Sequence, residues 1–222
     1  MKIKAIVFDA YGTLISTGTG SLDAARAILA RGGRPDIPPE AFYARWKALH
    51  RAHIDGLTGF VKEEEVFRRD LARLYQEYGL PGSADEDVSI MLDTLGKRRA
   101  FPEAKAVLEA LAGRFQLGIG STTDTAPLLK DLKRGGLEIS RVYTSESLEA
   151  YKPRPEFYRR ILADWGLAAG EALFVGDSLT DDVAGPQAVG MKACWVNRRG
   201  QPKEGAAPDY EVADLTGLLL LQ

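Results

Sequence analysis

Ile6-Val7-Phe8-Asp9-Ala10-Tyr11-Gly12-Thr13-Leu14 decides the reading of this chain, because an apolar run stops at a carboxylate, followed closely by a glycine and a hydroxyl residue. A strand buried on both faces of a parallel sheet reads as a continuous apolar run, and ligands of open α/β sheets collect beyond the carboxyl ends of the strands. Asp9 is therefore a candidate active-site residue. An acid that merely caps a turn would look the same locally, so the assignment depends on what the rest of the chain brings to that edge.

Working outward, five apolar runs read as parallel strands: Ile3 to Phe8, Gln116 to Gly120, Val142 to Thr144, Ala172 to Val175 and Lys192 to Val196, with Tyr210-Glu211-Val212 as a short sixth. Their alternation with helical stretches predicts an α/β fold, a three-layer, doubly wound parallel sheet. From about Ser16 to about Arg98 the pattern changes to helical periodicity alone. Ser21 is expected to N-cap a helix over Leu22 to Arg31, and Pro38-Pro39-Glu40 to open a longer one through Phe42, Trp46, Leu49 and His53. Glu63 to Tyr78 carries apolar residues at helical spacing and stops at Gly79 and Pro81, and Asp87 to Gly96 suggests one more helix. The expected organisation is a core of residues 1–16 and 99–222 and an inserted α-helical domain, 17–98, acting as a lid. Gly18-Thr19-Gly20 and Phe101-Pro102 are candidate hinges, and Leu218 to Leu221 reads as the core face of a last helix.

A chain of 222 residues with 45% hydrophobic and 27% charged residues can bury a sizeable core. Its formal net charge of -2 gives no cationic footprint for nucleic acid or an anionic membrane, which points to a small-molecule substrate. Cys194 is the only cysteine, so no internal disulfide or cysteine-based zinc site can form. A cytoplasmic protein is expected, with no signal peptide, no membrane span and no obligate protein partner evident.

Three more polar clusters follow strands: Ser121-Thr122-Thr123-Asp124, Lys152-Pro153, and Gly176-Asp177-Ser178-Leu179-Thr180-Asp181-Asp182. All of them fall on the edge that carries Asp9, so an acid, hydroxyls, a lysine and a paired-acid loop converge. Competing signals have plainer accounts. Gly118-Ile119-Gly120 lacks the third glycine of a dinucleotide fingerprint. His50 and His53 share a helix face, but packing or exposure accounts for them better than a metal does. Lys62 to Glu65 reads as a solvated helix start, Trp165 and Trp195 as core, and Asp124 as an N-cap for the helix through Leu128 and Leu132.

The four clusters, in this order, resemble the motifs of the haloacid dehalogenase-like hydrolase superfamily over nearly the whole chain, and the helical stretch resembles that family's inserted cap. The resemblance implies a Rossmann-like core. It also implies Asp9 as the attacking carboxylate, Ser121 and Thr122 as donors to substrate oxygens, and Lys152 as the cation neutralising attacker and substrate. Gly12 and Thr13 would contact substrate. Asp177 matches an acid that binds Mg²⁺, with Asp9 and the backbone carbonyl of Tyr11 as further ligands, and Asp182 matches the acid that orients the metal shell or Lys152.

Tyr11 departs from the pattern. Most phosphatases of the superfamily carry there an Asp that protonates the leaving group, and Asp9-Ala10-Tyr11-Gly12-Thr13 looks more like the 2-haloacid dehalogenase branch, whose halide leaves without a proton. Asp177 argues the other way, since that branch is metal-free and usually lacks this acid. Asp9, Asp177 and Asp182 against Lys152 leave about two excess negative charges, which a divalent cation would cancel, and hard oxygen donors suit Mg²⁺. A dehalogenase would also need an arginine for the substrate carboxylate. Arg45 is a candidate substrate-binding residue on that ground, with Lys47 beside it, although a solvated helix charge is the plainer account of each. The expected function is a Mg²⁺-dependent phosphatase acting on a small phosphorylated metabolite through an aspartyl-phosphate. A 2-haloacid dehalogenase is the enzymatic alternative, and a catalytically weak phosphate-binding regulator the non-enzymatic one.

Overall fold

The computed structural model describes residues 2–221. In chain order its elements are β1 (Ala5–Phe8), β2 (Ile15–Ser16), α1 (Gly20–Arg31), α2 (Pro39–Gly56), α3 (Glu63–Tyr78), α4 (Ala84–Leu92) and β3 (Arg99–Ala100). There follow α5 (Ala104–Ala112), β4 (Gln116–Ser121), α6 (Thr125–Gly135), β5 (Arg141–Thr144), α7 (Ser145–Leu148), α8 (Pro155–Trp165), β6 (Ala172–Gly176), α9 (Gly185–Gln187), β7 (Lys192–Val196) and β8 (Tyr210–Val212). They fall into two compact units, residues 1–16 with 99–222, and residues 17–98.

The first unit is built on a six-stranded sheet in the order β5-β4-β1-β6-β7-β8, every neighbouring pair parallel. Side chains alternate along a strand, so β1 sends Ile6 and Phe8 to one face and Ala5 and Val7 to the other. Ile6 and Phe8 join Leu108, Leu111, Leu128 and Leu132 from α5 and α6. Ala5 and Val7 join Phe157, Ile161 and Trp165 from α8. Both faces are covered, giving three layers, and each fully buried leucine or phenylalanine contributes about 2 kcal/mol. Gly118 and Gly120 serve this packing: a Cβ at Gly118 would come within 2.5 Å of the Trp165 ring, and one at Gly120 within 3.1 Å of Ile161. Trp165 and Trp195 are buried in the core as expected.

The second unit packs α1 to α4 around Ile28, Leu29, Phe42, Trp46, Leu71, Leu74, Val88 and Met91, with α1 touching both α2 and α4. α3 runs over the expected Glu63–Tyr78 and ends at Gly79, whose φ of 61° is a left-handed cap. Among the described residues no helix is long and apolar enough to cross a membrane.

Several expectations are corrected. The helix expected from Leu22 starts at Gly20 with Thr19 at its N-cap, so Ser21 lies inside it. The helix expected over Asp87 to Gly96 is Ala84–Leu92, because Ser83 caps it by accepting from the Glu86 N–H. β1 begins at Ala5 rather than Ile3. Ile15–Ser16 pairs antiparallel with Arg99–Ala100, a ladder that local periodicity does not reveal. The final leucines form a 3₁₀ turn, Leu215–Leu220, that buries Leu215 and Leu218 and leaves Leu219 and Leu220 exposed, rather than a helix face over Leu218 to Leu221.

Candidate active site

β1 delivers Asp9 at its carboxyl end, where the Asp9 N–H donates to the Val175 carbonyl of β6 at 2.8 Å. The chain then turns back sharply, with Leu14 and Ile15 N–H both donating to the Ala10 carbonyl, at 2.9 and 2.8 Å. Gly12 makes the turn possible. Its φ is 95°, and a Cβ there would overlap the carboxylate of Asp177. Gly176 is needed for the same reason, since a Cβ on it would overlap the carboxylate of Asp182.

Lys152 is buried and its Nζ donates to Asp9 Oδ1 and to Asp182 Oδ1, each at 2.7 Å. Asp182 is lifted into place by a π-helical turn, Leu179–Ala184, and its other oxygen accepts from the Ser178 N–H at 3.0 Å. Such turns place side chains where a regular helix would not. Trp195 holds the start of the same loop, its indole N–H donating to the Asp177 carbonyl at 3.0 Å, and the Tyr158 hydroxyl donates to the Asp181 carbonyl. Asp9, Asp177 and Asp182 each offer an oxygen, and these oxygens lie within 4.8 Å of one another.

Two features mark this cluster as unfinished. Asp9 Oδ2 is buried and has no hydrogen-bond partner, as are the hydroxyls of Thr13 and Thr122. Three carboxylates also share one ammonium, with the Arg199 charge acting on Asp177 besides. Burial pushes Asp9 up to about 6 against the pull of Lys152, with Asp177 adding to the rise. Asp177, the exposed member of the three, is raised to about 6 by the desolvation of its carboxylate and by Asp182. Burial drives Asp182 up to about 7, again opposed by Lys152 and reinforced by Asp9. Burial works against the Lys152 charge, but Asp182 and Asp9 outweigh it and hold the ammonium well above the ordinary lysine range. The donor set is hard oxygen with one acceptor atom unspent, which fits a divalent cation such as Mg²⁺.

Of the residues singled out from sequence, Asp9, Lys152, Asp177 and Asp182 are brought together. Gly12 abuts Asp177, and Thr13 is buried in the same turn. Ser121 ends β4, the strand beside β1, and is buried there, with Thr122 following it. The Tyr11 phenol donates to the wholly buried Asp131 of α6 at 3.0 Å. Arg45 belongs to the other unit and forks onto Glu77 at 2.8 and 2.6 Å, the solvated ion pair that was the plainer account. Lys47 lies over the Tyr43 ring. Asp124 takes the N-cap position of α6 without a side-chain cap hydrogen bond. Asp131 and Arg198 support the site and escape the sequence reading, while Ser178 was read only as part of the acid loop and Trp195 only as core. For Ser178 a signal was present, a serine three residues ahead of Asp181, whose N–H it accepts at 3.1 Å.

A family model described as haloacid dehalogenase-like hydrolase matches residues 3–190. Haloacetate dehalogenase H-2 of Moraxella sp. (strain B) is 30% identical, over 99% of this chain and 98% of its own length. Phosphoserine phosphatase of Thermus thermophilus is 28% identical, over 99% of both chains. The crystal structure of an L-2-haloacid dehalogenase superposes with a TM-score of 0.82 at 25% identity, covering 99% of this chain and 98% of that one.

Proposed function

The chain belongs to the haloacid dehalogenase-like hydrolases, and from that premise we propose that it is a Mg²⁺-dependent phosphatase of small phosphorylated metabolites. The observation that carries this reading is the cluster of Asp9, Asp177 and Asp182 around a single Lys152, with Asp9 Oδ2 buried and unpartnered. Relatives include both phosphatases and haloacid dehalogenases at similar identity, so the choice between them rests on this charge balance.

Asp9 attacks phosphorus through one carboxylate oxygen, while Lys152, which donates to Oδ1, keeps the carboxylate aimed. The phosphorus–oxygen bond to the leaving group breaks as the Asp9–phosphorus bond forms, and water then releases phosphate and restores the carboxylate. Ser121, the Thr13 and Thr122 hydroxyls and Lys152 donate to the transferring oxygens. Asp182 orients Lys152 through its 2.7 Å contact. Asp9, Asp177 and the Tyr11 carbonyl would hold Mg²⁺, which when bound supplies positive charge to the phosphoryl oxygens and cancels the carboxylate excess. The Tyr11 phenol gives its proton to Asp131 in a hydrogen bond, so it is a poor acid for the leaving group. The favoured substrates are those whose leaving oxygen departs as a stable anion, and alkyl phosphates turn over about 10²-fold to 10⁴-fold more slowly than an enzyme with a full acid would manage.

The 2-haloacid dehalogenase reading draws on Tyr11, because halide needs no proton. Against it, Arg45 is spent on Glu77. Phosphate release from p-nitrophenyl phosphate and halide release from 2-chloropropionate, each with Mg²⁺ and with EDTA, separate the two. Mg²⁺-dependent phosphate release is expected. Halide release in EDTA with no phosphate release would overturn the proposal.

A further inference from the structure

Arg198 lies in the turn after β7, and its guanidinium is used on three sides. Nη2 donates to the Thr13 carbonyl at 2.9 Å and lies 2.7 Å from Glu103 Oε1. The guanidinium carbon sits 3.7 Å from the centroid of the Phe101 ring. A planar cation can stack by its face and donate by its edge at once, which a lysine cannot.

The Thr13 carbonyl and the Leu14 N–H belong to one peptide plane. Arg198 fixes the carbonyl end of that plane and the Ala10 carbonyl, accepting from Leu14 N–H at 2.9 Å, fixes the other. The turn that carries Asp9 is thereby anchored to β7, two places away in the order β1-β6-β7. Thr13 itself is fully buried, and its hydroxyl has no hydrogen-bond partner. Buried hydroxyls in folded proteins are almost always paired, so an unpaired one held on a doubly fixed peptide is a donor kept for something else.

We infer that Arg198 is a positioning residue: by clamping the Thr13 carbonyl it keeps the Thr13 hydroxyl set to donate to an oxygen of the group transferred to Asp9. The identity of that group rests on the phosphatase reading, whereas the clamp does not. Arg198 also binds Glu103 and Phe101, so a purely structural role must be separated from this one.

The test is a double-mutant cycle on p-nitrophenyl phosphate hydrolysis with Mg²⁺, using wild type, Thr13→Val, Arg198→Met, Arg198→Lys and the Thr13→Val/Arg198→Met pair, with Tm measured for each. Thr13→Val should lower kcat about 10²-fold, the usual cost of one lost donor to a developing charge. Arg198→Met should lower kcat about 10-fold or more with KM within about threefold, because the donor acts in the transition state. The double variant should be no slower than Thr13→Val, since the clamp then has no hydroxyl to aim. Arg198→Lys should recover part of the loss, and if Arg198→Met does not fold it carries the cycle in its place. Additive losses, or a fall in Tm with kcat unchanged, would overturn the inference and leave the phosphatase reading standing. If wild type releases no phosphate that reading falls, and the same cycle on halide release from 2-chloropropionate decides the clamp; turnover of neither substrate overturns both.

Discussion

Each unit of this protein buries a carboxylate among titratable neighbours, and the two clusters are finished differently. In the helical unit, Asp70 is fully buried and turns one oxygen to His50 Nδ1 at 2.7 Å and the other to His53 Nδ1 at 2.5 Å. Glu63 stands 3.6 Å from the second nitrogen of His50, and Phe67 stacks on its ring at 4.6 Å. Two imidazoles answer two carboxylates, and both oxygens of Asp70 are used. In the sheet unit three carboxylates share one ammonium, and an oxygen of Asp9 is left over. Matched groups hold a fold together, while a surplus of one sign with spare acceptors costs stability until a ligand arrives. The histidines, read from sequence as packed or exposed side chains, turn out to be partners of a buried acid.

The largest effect should come from the unmatched cluster. Asp9→Asn is expected to lower phosphate release by at least about 10⁴-fold in kcat/KM, as loss of a nucleophile does. A fall of tenfold or less would erase the distinction between the clusters. Next, neutralising one acid in each should move stability in opposite directions. Asp70→Asn leaves two imidazoles around a neutral amide and should cost on the order of 3 kcal/mol, or about 6–12 °C in Tm, with kcat unchanged. Asp177→Asn, melted in EDTA, should leave Tm unchanged or raise it, because it removes a like charge from Asp9 and Asp182. Equal losses in the two variants would show that the carboxylate surplus carries no strain.

The smallest effect is the pH dependence of the matched cluster. Burial alone would lower the His50 pKa, but hydrogen bonds to Asp70 and Glu63 overturn it and raise it from 6.5 to about 9. The folded state therefore prefers the protonated ring. Its contribution, about 3 kcal/mol at most, is full below pH 6.5 and fades as the pH climbs through 9. Chemical denaturation at pH 6 and pH 9.5 should show that loss in the wild type and a flatter profile in His50→Gln. A wild-type stability that rises over the same interval would contradict the pairing.

The central strands were legible because they are buried on both faces and so announce themselves as unbroken apolar runs, as Ala5–Phe8 and Ala172–Gly176 do; the largely exposed Tyr210–Val212 also falls where the sequence puts it, without such a run. Glycine was legible only as punctuation, whereas Gly12 and Gly176 prove to be clearances for carboxylates. Partnerships across helices were illegible. His50 and Asp70 are separated by 20 positions, and Tyr11 and Asp131 by 120, with no spacing rule to link them. Arg198 carries no local signal either, since its role depends on a carbonyl 185 residues earlier. Ser83 did have one, an N-cap serine followed by Asp85, Glu86 and Asp87, and reading it would have placed α4 correctly.

The brief ladder between Ile15–Ser16 and Arg99–Ala100 brings the outgoing and returning chain side by side. Residues 17–98 thus form a cassette whose two ends share one doorway. Its exchange for a different module, or for a tight turn, asks nothing of the sheet's hydrogen bonding, so the insert can change in length and content while the six-stranded ladder is inherited intact.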